Sequence, residues 1–304
     1  KILIFRTDRI GDLIVNCPTI FTIKNYFDNP EITFVGSEKN IAYAKTLNIF
    51  RTIYKFPKNF LEKFNLIKLL KKENFDYIFI FDGKERSIIS SVFLKSKIKV
   101  ALSQKIKTHY KFFNIKFIKD HENTNLNDIF YNMINYCNIN TKIKNYDFIS
   151  KKNDNNFSKR ISINNYIHVH LDEKWFTNLY IKSYTNINPS YDDFISFINS
   201  ISKSSNVLIT TGIIDTNITE KLKSDYFEKL DNKIFKKENN NNFIFFVYKP
   251  SFEDIESLLK NTKTLISCHG AITHAASSFD IKIINIIEKS KQSFYKKFTS
   301  HINN

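Results

Sequence analysis

Residues able to do chemistry recur where an apolar run gives way to a glycine. Ile2-Leu3-Ile4-Phe5 passes into Arg6-Thr7-Asp8-Arg9-Ile10-Gly11-Asp12, and a second apolar run with helical spacing follows. A carboxylate such as Asp12 at that point can take a proton from a hydroxyl, and Gly11 permits close approach of a ligand or a second backbone. Pattern alone equally allows Asp12 to be a carboxylate favoured near a helix N-terminus by capping and the dipole. Ser267-Cys268-His269-Gly270-Ala271-Ile272-Thr273-His274-Ala275-Ala276-Ser277 repeats the arrangement, a strand entering a glycine and then a helix of small residues. The free N–H groups of that helix start suit an anion such as a pyrophosphate. Thr273 and His274 fall in its first turn and are expected to face a cleft, although His274 also fits a satisfied, semi-buried histidine. Asp172-Glu173-Lys174-Trp175 offers a lysine that can neutralise a leaving phosphate; the bland alternative is a surface lysine beside a packed tryptophan. Thr210-Thr211-Gly212-Ile213-Ile214-Asp215 ends in a carboxylate that can accept hydrogen bonds from ribose hydroxyls or cap the helix after it. All four stretches lie at the carboxyl ends of predicted strands, where open α/β sheets bind ligands.

The elements that must position these residues follow from periodicity. Apolar runs predict strands at residues 1–6, 32–35, 51–56, 76–81 and 97–102. Helical spacing predicts helices at 13–27, 38–47, 59–73, 85–94 and 124–138. Pro18 either kinks the first of these or starts its main part. In the helix at 59–73, Phe60, Leu61, Phe64, Ile67 and Leu70 are expected to share the packed side. Residues 103–121 read as a packed loop or edge strand. The aromatic and basic stretch 110–118 within them could also stack on bases. A shift to Asn, Lys and Ser over 138–165 marks the expected domain boundary. Strands then resume at 166–171, 206–210, 243–247, 264–268 and 281–287. Helices are expected at 191–203, 215–229, 252–260 and from Gly270 to about 279, with a helical tail from 290. Ser251 and Asp254 form a predicted capping box. The lysines and asparagines of 231–242 read as an exposed loop. Strands alternating with helices at this spacing mean βαβ units and parallel sheets, hence an α/β architecture of two Rossmann-like halves with a cleft between them.

Composition narrows the class. Of 304 residues, 42% are hydrophobic and 25% charged, as in a soluble globular protein with room for two domains. No run of about 18 or more apolar residues exists to span a membrane, and the opening lacks the pattern of a signal peptide. Cys17, Cys137 and Cys268 are odd in number and far apart, which fits a reducing compartment and disfavours a cysteine-based zinc site. The formal net charge of +16 allows an anionic partner. Because the lysines are spread evenly, most of that charge reads as solvated surface, with a weak attraction to anionic lipid remaining. No nucleic-acid signature accompanies it. Neither G-x-G-x-x-G nor G-x-x-x-x-G-K-[ST] occurs, which argues against a dinucleotide oxidoreductase and a P-loop NTPase.

The opening Ile2-Leu3-Ile4-Phe5-Arg6-Thr7-Asp8-Arg9-Ile10-Gly11-Asp12, with Pro18 beyond it, resembles the N-terminal signature of glycosyltransferase family 9, the heptosyltransferases of bacterial lipopolysaccharide synthesis. Lys249-Pro250-Ser251-Phe252-Glu253-Asp254 through Leu258-Leu259 to Gly270 and His274-Ala275-Ala276 is similar to that family's C-terminal donor region. Lys174-Trp175 resembles its lysine–tryptophan loop. The resemblance implies a GT-B fold, with Rossmann-like domains facing each other across a cleft. Residues 1–150 would bind the acceptor and 160–304 the nucleotide-sugar. It also implies an inverting mechanism with no metal and no cofactor. Asp12 would be the catalytic base, with Arg9 and Gly11 on the acceptor side. Lys174, Asp215, His269, Gly270, Thr273 and His274 would serve the donor, Lys174 and the helix start near Gly270 stabilising the departing diphosphate. The implied partners are a nucleotide-sugar such as ADP-heptose and a glycolipid or oligosaccharide acceptor, with no nucleic acid. The implied location is cytoplasmic, peripheral at the inner face of the inner membrane. Where the family shows Asp-Thr-Gly, this chain has Cys268-His269-Gly270 and one extra residue before His274, so the aspartate associated with donor-sugar recognition is missing. A non-catalytic nucleotide-sugar-binding relative is therefore the alternative, and an anion-surface binder the third reading.

Overall fold

The computed structural model describes the chain apart from residues 104–112, 121–123, 142–146, 153–154, 177–184, 300 and 303–304, and apart from the side chains of 225–226. It divides into two compact units, Lys1–Asn145 with Lys296–His301, and Tyr146–Tyr295 with Ile302–Asn304.

The first unit is a six-stranded parallel sheet. Its strands are β1 (Ile2–Arg6), β2 (Ile32–Gly36), β3 (Thr52–Lys55), β4 (Phe75–Ile80), β5 (Ser96–Ser103) and β6 (Ile115–Lys119), in the order β3-β2-β1-β4-β5-β6. β1 lies in the middle of that order, and every one of its residues is buried, as a strand covered on both faces requires. Its register sets Phe5 beside Val35 on one side and Ile80 on the other. The helices are α1 (Ile10–Tyr26), α2 (Ile41–Thr46), α3 (Phe60–Leu70), α4 (Glu85–Val92) and α5 (Leu126–Asn135). Leu66 and Leu70 of α3 pack with Leu3, Phe5, Ile78 and Ile80 in one core.

One expectation holds here and one changes. The segment around 103–121 supplies β6, a parallel edge strand; residues 104–112 and 121 lie outside the described part, which includes the start of the aromatic and basic stretch. The helix at 59–73 exists, but its packed face is Leu66, Ile67 and Leu70. Phe60, Leu61 and Phe64 point outward, 79%, 75% and 60% exposed. The 3.6-residue period fits either face, and the sheet selects the one at i, i+1 and i+4 from Leu66.

The second unit repeats the design with β7 (Tyr166–Leu171), α6 (Tyr191–Ser202), β8 (Val207–Thr211), α7 (Asn217–Lys221), β9 (Glu228–Lys229), β10 (Ile234–Asn239), β11 (Asn242–Val247), α8 (Phe252–Leu259), β12 (Thr262–Cys268), α9 (Ala271–Ala276) and β13 (Lys282–Ile286); α10 (Gln292–Thr299) follows. The sheet order is β13-β12-β7-β8-β11-β10-β9. Five strands are parallel, and β10 and β9 extend the edge antiparallel. The exposed loop expected at 231–242 is thus a hairpin. Asn240 and Asn241 both have positive φ (48° and 66°), the backbone a two-residue hairpin turn needs and one that asparagine tolerates. The helix expected at 215–229 is shorter: α7 ends at Lys221 and a single π turn runs Leu222–Tyr226. The helix after Gly270 ends at Ala276 rather than near 279. Ser251 and Asp254 do form the predicted capping box.

Both sheets follow the Rossmann plan, in which strand order reverses beside the first strand and ligands bind outside the carboxyl ends there. In the first unit that point lies between β1 and β4. In the second it lies between β7 and β12. Among the described residues no helix is long and apolar enough to cross a membrane.

Candidate functional site

At the first switch point the turn after β1 is held from both sides. On the β4 side, Asp82 accepts hydrogen bonds from the Thr7 amide (3.0 Å) and hydroxyl (2.5 Å) and from Ser87 Oγ (2.7 Å). Arg86 Nη2 and Lys84 Nζ donate to the Thr7 carbonyl at 2.6 and 3.1 Å. On the β2 side, Asn40 Nδ2 donates to the Arg6 carbonyl (2.7 Å), and Ser37 Oγ donates to the Asp8 carbonyl. Arg6 is buried, donating from Nη1 to the Phe81 carbonyl (2.5 Å) with its guanidinium over the Phe130 ring.

Asp12 occupies the third position of α1, where its Oδ2 accepts the Arg9 N–H at 3.2 Å, half of a capping box. Its side chain keeps 36% exposure, and Arg6 Nη2 stands 3.9 Å from Oδ1. The capping reading and an accessible carboxylate are therefore both true of it. A cavity of about 690 Å³ opens beside it, lined by Thr7, Asp8, Arg9, Asp12, Ser37, Glu38, Lys39, Lys55, Phe56, Pro57, Lys58, Lys63, Lys84 and Arg86. Its basic residues outnumber its acidic ones, so the cavity suits an anionic or phosphorylated guest.

Asp8 was not singled out from sequence. It is largely buried at the same turn, 3.2 Å from Arg6 Nε. Burial lifts its carboxyl to about 6, Arg6 opposes the rise, and Asp12 and Asp82 add to it. Two carboxylates four residues apart across one strand end were a visible signal, but only the fold shows that Asp8 is the more buried of the two.

At the second switch point the groups are dry. Lys174 lies in a 3₁₀ turn whose cap is Asp172, the Asp172 Oδ1 accepting the Lys174 amide at 3.1 Å. The Lys174 ammonium pairs with Asp172 Oδ2, the two side chains being 15% and 4% exposed. Burial works to lower the lysine, Asp172 outweighs it, and the net direction is up, so the ammonium stays charged. Beneath them, His168 Nε2 and His170 Nδ1 share the Thr210 hydroxyl at 2.8 and 2.9 Å. Burial drives both imidazoles down, His170 to about 3, so both are neutral. One hydroxyl, a donor and an acceptor at once, can then satisfy both rings. Trp175 donates from Nε1 to the His170 carbonyl (2.8 Å) and packs edge-on against Phe194, which fixes the loop from below.

Two residues chosen from sequence meet at this point. A Cβ on Gly270 would lie 3.1 Å from Lys174 Nζ, so the missing side chain leaves room for the ammonium at the end of β12. Gly212 does the same for Asp172, whose Cβ would be 2.9 Å away. The others are less open. Thr273 is fully buried, and its hydroxyl donates to the Gly270 carbonyl at 2.7 Å. His274 and His269 are buried edge-to-face at 5.0 Å between centroids, with Tyr295 on His269. Asp215 is not the helix cap, since Thr216 has that place. Its carboxylate accepts from Tyr248 Oη (2.7 Å) and Lys249 Nζ (2.5 Å). α9 spans only six residues, so the anion attraction expected of a helix start falls mainly to Lys174. Among the described residues no group of three or more His, Cys, Asp or Glu side chains is arranged to hold a metal ion.

No family model matches the chain, and no curated protein matches it by sequence. Solved structures do. Heptosyltransferase WaaC of E. coli with ADP superposes with a TM-score of 0.66 at 12% identity, covering 93% of this chain and 86% of that one. A glycosyl transferase family 9 protein from Veillonella parvula gives 0.65 at 11% identity, covering 100% and 90%. The UDP-GlcNAc 2-epimerase of Methanocaldococcus jannaschii gives 0.53 at 10% identity, covering 99% and 91%. The fold is that of the family 9 heptosyltransferases, two Rossmann-like α/β domains of the GT-B class.

Proposed function

We propose that this protein is an inverting glycosyltransferase that moves a sugar from a nucleotide-sugar to a glycan acceptor. One observation carries the proposal. Asp12 and Lys174 stand at equivalent switch points of two Rossmann-like sheets, the first a carboxylate open to a cavity, the second an ammonium held beside a glycine.

In this mechanism Asp12 takes the proton from an acceptor hydroxyl. The freed oxygen attacks the anomeric carbon as the bond to the nucleoside diphosphate breaks, and the single displacement inverts that carbon. Lys174 takes up the charge developing on the departing diphosphate, which a bound metal would otherwise have to do. Arg9 and Gly11 flank the base on the acceptor side. The basic lining of the first cavity suits an acceptor bearing phosphate or carboxylate groups, as a lipid-linked surface glycan does. ADP-heptose or a similar donor is the expected substrate, since heptosyltransferase structures with the same fold hold ADP and an ADP-heptose analogue. A lipid-linked acceptor would put the reaction at the inner face of a membrane.

The buried pairing of Lys174 with Asp172 favours a second reading, a nucleotide-sugar binder without turnover. The test is a panel of nucleotide-sugars. A donor at about a hundred times its Kd adds about 2.7 kcal/mol to stability, a shift of a few degrees in Tm. Release of nucleoside diphosphate with an anionic acceptor present supports transfer, a Tm shift without release supports the binder, and neither result with any donor refutes both.

A further inference from the structure

We infer that α3 is a membrane-docking element, laying its apolar face on an anionic lipid surface with the mouth of the first cavity beside it. α3 starts cleanly, Asn59 Oδ1 accepting the Glu62 amide at 2.8 Å. Leu66 and Leu70 anchor it to the sheet. Ile67 packs beside them, and the other apolar residues of the helix are turned away from that anchor. Phe60, Leu61 and Phe64 are 79%, 75% and 60% exposed. Phe60 and Phe64, at i and i+4, are neighbours on the helix surface, and Leu61 adjoins them. The two rings alone present on the order of 250 Å² of apolar surface. With Leu61, that is a patch of the size that marks an interaction site rather than scattered exposure.

The charge around the patch identifies its occupant. Lys58, paired with Glu38 at 2.9 Å, and Lys63 flank it, and Lys68 follows Phe64 at the next i+4 step; the exposed Glu62 in the first turn leaves the lysines of the helix in excess. Lys71 and Lys72 close the helix, with Lys71 Nζ 5.8 Å from the ring of Phe93, itself 52% exposed. Phenylalanine and leucine on one arc with lysines around it is the composition of a helix lying in a bilayer interface, where lysines snorkel to anionic headgroups. A second copy of the chain would bring like-charged faces together, which opposes self-association. The position matters as much as the composition. Pro57, Lys58 and Lys63 line the cavity that contains Asp12, so one short stretch forms both the cavity rim and the apolar helix. A lipid-linked acceptor could then keep its acyl chains in the bilayer while its charged head enters the cavity. That last step rests on the transferase reading; the lipid affinity of α3 does not.

The test uses the whole chain with two kinds of vesicle, phosphatidylcholine alone and phosphatidylcholine with phosphatidylglycerol. The wild type should sediment with the anionic vesicles, less so in high salt, and weakly with the neutral ones. Phe60→Ser with Phe64→Ser removes two exposed rings and should lower anionic-vesicle binding roughly tenfold or more. Its circular dichroism, Tm and any donor-induced Tm shift should be unchanged. No binding by the wild type, or equal binding by the double variant, overturns the inference. So does a wild-type dimer in sedimentation velocity that the double variant loses without any change in vesicle binding. Absence of a donor-induced Tm shift counts against the transferase reading and leaves the vesicle result to stand or fall by itself.

Discussion

The two switch points are built on one topological plan and differ in water. At the end of β1 the charged groups surround an open cavity, with Asp12 accessible and Lys84 and Arg86 braced against the turn. At the end of β7 the charged groups are sealed. Lys174 and Asp172 neutralise each other above two neutral histidines and a threonine. Topology brings strand ends together in both units, while burial decides whether a group there can exchange protons or only present fixed charge. An open carboxylate suits a base that must meet a changing substrate. A buried, prepaid ammonium suits a charge that must already be in position when a diphosphate departs.

If burial makes that difference, the largest effect should come from breaking the sealed pair. Asp172→Ala takes away the carboxylate that pairs with the buried Lys174 and should cost about 3–5 kcal/mol. The double variant Asp172→Ala with Lys174→Met should recover most of this loss, read as Tm by calorimetry. The comparable change at the open end, Asp12→Ala, should cost only about 1 kcal/mol through its lost capping contact. Equal losses at the two ends would break the contrast.

A smaller effect is expected at Gly270. Its φ of −177° is extended backbone open to any residue, so Gly270→Ala introduces no backbone strain. The new Cβ would sit 3.1 Å from Lys174 Nζ and displace the flexible end of the lysine. Stability should change by less than about 1 kcal/mol, while the donor-induced Tm shift falls. An unchanged shift would remove Lys174 from the donor site.

The smallest effect is a pH dependence. Asp8 is the one group at the open end that burial lifts well above its ordinary carboxyl range, from 3.8 to about 6. The folded state therefore favours its protonated form. Its stabilising contribution is complete below 3.8 and is lost as pH rises through about 6. Asp8→Asn should flatten the Tm curve across that window, gaining on the wild type as pH rises. A parallel pair of curves would contradict the burial assigned to Asp8.

Much of this was legible in the residues. The alternation of apolar runs and helical patterns predicts both parallel sheets, and the glycines that follow the strands, Gly11, Gly212 and Gly270, mark their carboxyl edges. What stayed hidden depends on packing. Period alone cannot say which face of α3 meets the sheet, and Phe60, Leu61 and Phe64 look like core until Leu66 and Leu70 occupy it. The asparagine run at 239–242 reads as loose chain, although two of its members supply the positive φ of a hairpin turn. Asp8 and Asp12 are equivalent as letters, and only the fold shows that the Asp8 side chain is 16% exposed and that of Asp12 36%. Lys174 looks like a surface lysine until the turn after β7 folds it onto Asp172.

The central claim is that Asp12 is the base of a glycosyl transfer. It is tested most directly by measuring sugar transfer from the donor that raises the wild-type Tm, in wild type and Asp12→Ala side by side. Loss of a positioned general base should lower the rate about 10²- to 10⁴-fold, with the donor-induced Tm shift retained. Transfer by Asp12→Ala at the wild-type rate would contradict the account.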